Sequence, residues 1–121
     1  MDYFEKRGVL LTMSNAIEIT DNNFENEIIK SGIPAIVDFW AEWCMPCRTM
    51  LPVIDEVANE FIGKIKVGKI NIDENISTAT DLTVMNIPTL LFFKDGKEVG
   101  RVTRVVQKRE LIEKISEFFN E

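Results

Sequence analysis

The stretch Ala35-Ile36-Val37-Asp38-Phe39-Trp40-Ala41 restricts the fold of this chain more than any other. A run that is apolar at consecutive rather than alternate positions belongs to a central strand covered on both faces. Covering both faces of a sheet takes helices on each side. Beyond the run, Met50, Leu51, Ile54, Val57, Ala58 and Phe61 recur at helical spacing, and Gly63 closes that helix. A buried strand therefore hands over directly to an amphipathic helix. The junction reads Trp43-Cys44-Met45-Pro46-Cys47, and the chain has no other cysteines.

The remaining elements fall around this core. Residues 16–19 read as a short strand. Thr20, Asp21 and Asn22 offer caps for a helix, with Glu25 placed for a capping box and Phe24, Ile28 and Ile29 on its apolar face. Gly32 and Pro34 stop it. Residues 64–72 read as a strand and 73–82 as a short helix. Residues 89–93 form a strand, Asp95-Gly96 a hairpin turn and 99–106 its partner. Leu111, Ile112, Ile115, Phe118 and Phe119 give a last amphipathic helix. The expected class is α/β, with a mixed sheet and helices on both faces. A chain of 121 residues fits one domain with a core that needs no disulfide staple. Residues 16–121 are expected to form it. Residues 1–15 form an N-terminal extension in which Tyr3, Phe4, Val9, Leu10 and Leu11 either pack on the domain as a short helix or precede a later start at Met13.

Composition removes several function classes. The chain has no histidine, which excludes Ser-His-Asp and Cys-His catalysis and every histidine-bearing metal site. Two cysteines alone cannot complete a zinc tetrahedron, though a dimer could pool four; no metal or cofactor is expected. A net charge of −6 opposes binding to nucleic acid and anionic membrane. The only basic cluster, Arg101, Arg104, Lys108 and Arg109, has no interleaved aromatics and reads as a solvated face or helix start. No stretch approaches the ~18 apolar residues of a membrane span. Gly8-Val9-Leu10-Leu11 is shorter than the ~7–15-residue core of a signal peptide. A cytoplasmic, monomeric protein is expected. In that reducing setting a lone C-x-x-C is catalytic or metal-binding more often than structural.

The chemistry follows from where the cysteines stand. The first N–H groups of a helix lack partners, and its macrodipole places partial positive charge there. A thiolate at Cys44 is stabilised at that end, below the ~8.5 of a free cysteine. Cys47 lies one turn further in and should be more buried. Cys44 then attacks a partner disulfide, and Cys47 attacks Cys44 to release the reduced partner. Pro46 stiffens the first turn, where its missing N–H is harmless, and Met45 shapes access to Cys44. Pro52 lies inside the helical pattern and is expected to bend it. Asp38 in the apolar run should be desolvated, with a raised proton affinity that suits it to accept the Cys47 proton. Lys69 on the neighbouring strand modulates it. Trp40 is assigned mainly to the core and Trp43 to the rim of the site. Ile87-Pro88 precedes a strand.

Three segments, Val37 to Cys47, Lys69-Ile70-Asn71-Ile72-Asp73 and Ile87-Pro88-Thr89-Leu90, together resemble the thioredoxin family. The resemblance covers residues 16–119. It implies a five-stranded mixed sheet flanked by four helices in three layers, protein-disulfide reduction, disulfide-containing client proteins and recharging by a thioredoxin reductase. Cys44 matches the family nucleophile, Cys47 the resolving cysteine, Asp38 the buried acid and Lys69 its basic neighbour. Pro88 matches the cis-proline, and Trp43, Met45, Pro46 and Ile87 match the docking surface. Thiols of this family are themselves the standard instance of a lowered cysteine pKa. The family usually has glycine where Met45 stands, and a glycine near Arg104 in the loop after the last strand. Two other readings remain: a binding module whose redox state is incidental, and a disulfide oxidase or isomerase.

Overall fold

A computed structural model of the chain describes residues 14–120. Its elements are β1 (Ile17–Ile19), a π-helical segment (Glu25–Ile29), β2 (Ala35–Trp40), α1 (Met45–Glu60), β3 (Lys66–Asn71), α2 (Ile76–Asp81), β4 (Thr89–Lys94), β5 (Lys97–Val102) and α3 (Lys108–Phe119). The sheet order is β1-β3-β2-β4-β5. Strands β1, β3 and β2 run parallel, and β4 and β5 are antiparallel. The expected five-stranded mixed sheet with four helical segments is present. The expectations for residues 1–13 lie outside the described residues.

Strand β2 sits at the centre, and its side chains alternate between two cores. Ile36 joins Met50, Ile54 and Val57 of α1 and Leu111, Ile115 and Phe119 of α3 on one face. Ala35, Val37 and Phe39 join Ile28 of the π-helical segment and Ala79 of α2 on the other. Asp38 therefore points to the face covered by α1. The register places Glu18, Lys69, Asp38, Leu90 and Val102 side by side across all five strands. That row runs from an exposed edge to a buried apolar one.

Several boundaries differ from expectation for local reasons. The capping box is closed by Asn23, not Glu25: Asn23 Oδ1 accepts the Thr20 N–H at 2.7 Å and Thr20 Oγ1 accepts the Asn23 N–H at 3.2 Å. The segment that follows is wider than an α-helix, with the Lys30 N–H donating to the Glu25 carbonyl at 2.9 Å. β5 ends at Val102 rather than reaching residue 106, because the chain leaves the sheet and the buried Val106 N–H donates to Met50 Sδ at 3.3 Å. The hairpin forms as expected, with positive φ at Asp95 (54°) and Gly96 (78°). Helix α1 runs unbroken through Pro52.

Helix α2 is only six residues long and is capped from a distance. Asp21 Oδ1 accepts the Thr78 N–H at 2.9 Å and its hydroxyl at 2.6 Å, and Oδ2 accepts the Ser77 N–H at 3.3 Å. Asn75 Oδ1 accepts the Asp21 N–H at 2.9 Å. These bonds hold the Asp21 carboxylate below its ordinary pKa, the Thr78 hydroxyl contributing most. Among the described residues, Arg101 pairs with Glu98, Arg104 with Glu110 and Lys108 with Glu60. No helix among the described residues is long and apolar enough to cross a membrane.

Packing of α3 on the sheet depends on one glycine. A Cβ at Gly100 would come within 2.5 Å of the Phe118 ring. That ring is held edge-on to Phe92, with centroids 4.8 Å apart. Gly100→Ala should lower stability by about 1–3 kcal/mol through overpacking, seen as a reduced urea midpoint at unchanged m value. A midpoint equal to the parent's would mean that Phe118 yields without penalty.

Candidate active site

The first turn of α1 is built around sulfur. Cys44 is the N-cap residue, with extended backbone (φ −92°, ψ 101°), and its Sγ accepts the Cys47 N–H at 3.2 Å. Met45 and Pro46 open the helix, so the proline nitrogen falls among positions that lack an intrahelical bond anyway. Cys44 and Cys47 are joined by a disulfide, with Cα atoms 5.3 Å apart. Cys44 is 5% exposed and Cys47 0%. The expected order of access holds, and only Cys44 retains an opening. Ala41, Trp40, Ile72 and Ile87 pack around the pair. On reduction, a thiolate at Cys44 would occupy the position that already receives a backbone N–H. An ionised acceptor strengthens that bond, and the helix dipole adds to it.

Asp38 is fully buried, and neither carboxyl oxygen has a hydrogen-bonding partner among the described residues. Desolvation dominates its titration and pushes it up from 3.8 to about 7; Lys69 pulls it down and Asp55 raises it. Lys69 lies directly beside Asp38 in register. Its ammonium nevertheless pairs with Asp55 Oδ1 at 3.4 Å. Ser14 Oγ donates to the same oxygen at 2.8 Å. An open pocket of about 420 Å³ is lined by Ser14, Lys69, Trp40, Glu18, Asn71 and Glu74, among others. Water thus reaches the Lys69 end of the row while Asp38 stays dry.

The rim is apolar and exposed. Trp43 is 66% exposed and Met45 67%. The Trp43 indole N–H donates to Asp73 Oδ2 at 2.9 Å, and Asn71 Oδ1 accepts the Asp73 N–H at 2.9 Å, so the ring is tethered rather than free. Pro46 is exposed beside it. The Ile87-Pro88 peptide is cis, and the preceding turn is tied by Thr89 Oγ1 donating to the Asn86 carbonyl at 2.6 Å. Trp40, expected mainly in the core, is half-buried: one side packs on the cysteine cluster and the other lines the open pocket. Arg104 is exposed and paired with Glu110. Asp55 and Asp73 were missed from sequence. Asp55 follows the core residue Ile54 and reads as part of a solvated face, and its partner is visible only once β3 is in place.

Comparison with known proteins agrees with this geometry. A family model described as thioredoxin matches residues 15–117. Thioredoxin 1 of Nostoc sp. is 48% identical over 99 residues, covering 82% of this chain and 92% of the relative. Thioredoxin 1 of Synechococcus elongatus gives the same identity and coverage. The thioredoxin of Rickettsia typhi is 45% identical over 98 residues, covering 81% and 93%. The chain belongs to the thioredoxin family. It is accordingly a thiol–disulfide oxidoreductase that reduces protein disulfides, and the family implies disulfide-bearing clients and a thioredoxin reductase as its general partners.

Asp38 makes stability depend on pH. Its folded pKa lies above the ordinary value, so between about 4 and 7 the folded state holds a proton that the unfolded chain releases. Stability therefore falls as pH rises through that window and levels off above it. Asp38→Asn removes the charge and should be more stable than the parent at pH 8, by roughly 1.4 kcal/mol per unit of displacement, with little difference at pH 4. Guanidinium midpoints across this range check it. Parallel curves for the two proteins would show that folding does not displace the Asp38 pKa.

Proposed function

We propose that residues 16–121 form the catalytic domain of a cytoplasmic, monomeric disulfide reductase, with residues 1–15 as an extension outside the chemistry. The observation that carries the reading is the Cys44 sulfur placed as hydrogen-bond acceptor at the amino end of α1. Cys44, as thiolate, attacks one sulfur of a client disulfide. The client's other sulfur leaves as a thiolate and takes a proton from solvent. Cys47 gives its proton to Asp38, directly or through water, and its thiolate attacks Cys44 Sγ. The Cys44–client bond breaks, and the client leaves with both sulfurs reduced. The two electrons it gained leave the Cys44–Cys47 pair as a disulfide, and a thioredoxin reductase restores the dithiol.

Lys69 sets the field at Asp38 from the neighbouring strand. The docking surface consists of Trp43, Met45, Pro46, Ile87 and Pro88. Trp43, Met45 and Pro46 are exposed, Ile87 is half-buried and Pro88 is buried behind them, an apolar face that suits an extended client segment bringing its disulfide to the one accessible sulfur.

Cys44→Ser should abolish turnover, whereas Cys47→Ser should accumulate mixed disulfides with clients, resolved by intact-mass measurement. Equal trapping by both variants would defeat the division of roles. Asp38→Asn should slow resolution more than attack in stopped-flow measurements with the Trp43 emission as readout. Identical resolution rates would remove Asp38 from the mechanism.

A further inference from the structure

Lys69 stands between two carboxyl groups and contacts only one of them. It is the register neighbour of Asp38, yet its ammonium lies 3.4 Å from Asp55 Oδ1 while both Asp38 oxygens remain without partners. Asp55 is itself fixed. Its Oδ1 also accepts the Ser14 hydroxyl at 2.8 Å, and Ser14 Oγ accepts the Ala16 N–H at 3.0 Å, which ties the cluster to the start of β1. Three groups from three parts of the chain therefore meet, two of them, Ser14 and Lys69, on the wall of the open pocket.

We propose that Asp55 is a positioning residue for the resolution step: its carboxylate anchors the Lys69 ammonium away from Asp38 and so keeps the buried carboxyl a strong proton acceptor. This rests on the reading of Asp38 as acceptor of the Cys47 proton. An ammonium turned inward to Asp38 would have to leave the pocket water, which is costly without full pairing. Asp55 offers a partner at the wet end of the row, so Lys69 keeps its hydration and its ion pair together. Without Asp55, Lys69 is left between its two register neighbours, Glu18 on β1 and Asp38 on β2, and any share of its charge that turns to Asp38 acts on the buried carboxyl. A close ammonium would favour the Asp38 anion and weaken it as a base.

The charges around Asp38 are few. Strand β3 supplies Lys69 and helix α1 supplies Asp55. Helix α1 also supplies Cys47, which titrates only when reduced. Strand β4 faces Asp38 with Leu90. Glu18 stands beyond Lys69 on β1, and Glu42 and Glu74 border the pocket.

The test is a titration of the Asp38 carboxyl carbon by 13C NMR in the disulfide form, where no cysteine titrates. In Asp55→Asn the Asp38 midpoint should fall by about one pH unit, as expected for a newly adjacent cation. In a Lys69→Gln background the same substitution should no longer lower it by that amount. An unchanged or raised midpoint in Asp55→Asn overturns the proposal. An equal fall with and without Lys69 also overturns it, because Asp55 would then act by its own charge alone. Resolution rates of a preformed mixed disulfide supply the kinetic arm. Asp55→Asn should be roughly threefold slower at pH 8, in line with a weaker base, and its acid limb should move down with the NMR midpoint. If the midpoint moves and the rates do not, with Asp38→Asn equally fast, the failure lies in the proton-accepting role of Asp38. If Asp38→Asn is slow but Asp55→Asn matches the parent in both measurements, only the role of Asp55 is lost.

Discussion

A strand with no solvent face has no water to offer a carboxylate, and β2 carries one. Burial of β2 between two cores fixes the sheet order around it, the helices above and below it, and the direction in which Asp38 points. The same strand delivers the chain to Cys44 four residues after Trp40 leaves the sheet's centre, so the acid and the sulfurs share one rigid support. Reactive groups mounted on a packed strand and a helix terminus are held more closely than loops allow.

The two ends of this arrangement treat charge in opposite ways. At the start of α1, unsatisfied N–H groups favour an ionised sulfur. On the α1 face of β2, apolar neighbours favour a protonated carboxyl. In the proposed mechanism, placement alone turns two ordinary residues into a proton acceptor and a nucleophile. Lys69 lies on the gradient between the dry and wet regions, and the geometry sends its charge outward to Asp55.

Much of this was legible in the sequence because the decisive signals are local. Consecutive apolar residues marked β2, Asp95-Gly96 marked the hairpin, and the spacing of Leu111, Ile115 and Phe119 marked α3. The C-x-x-C motif marked the helix start, and Asp38 was conspicuous as the one charge within an apolar run. What stayed hidden depends on register or on long-range partners. Asn23 displaced Glu25 in the capping box because the turn closes three residues after Thr20. The early end of β5 reflects a backbone bond to Met50, a residue more than fifty positions away. Asp55, Asp73 and the half-exposed Trp40 take their meaning from β3 and from the pocket beside it, which no periodicity encodes.

The distant cap on α2 bears on the order in which the molecule assembles. Six residues are far too few to sustain a helix alone, since nucleation is unfavourable and each end leaves backbone groups unpaired. The acceptor for its first N–H groups, Asp21, arrives only after β1 has joined β3 across a large span of chain. Closing so wide a loop is slow compared with forming α1 or the β4–β5 hairpin. Helix α2 should therefore consolidate late, and with it the neighbouring Asp73 that tethers the Trp43 ring.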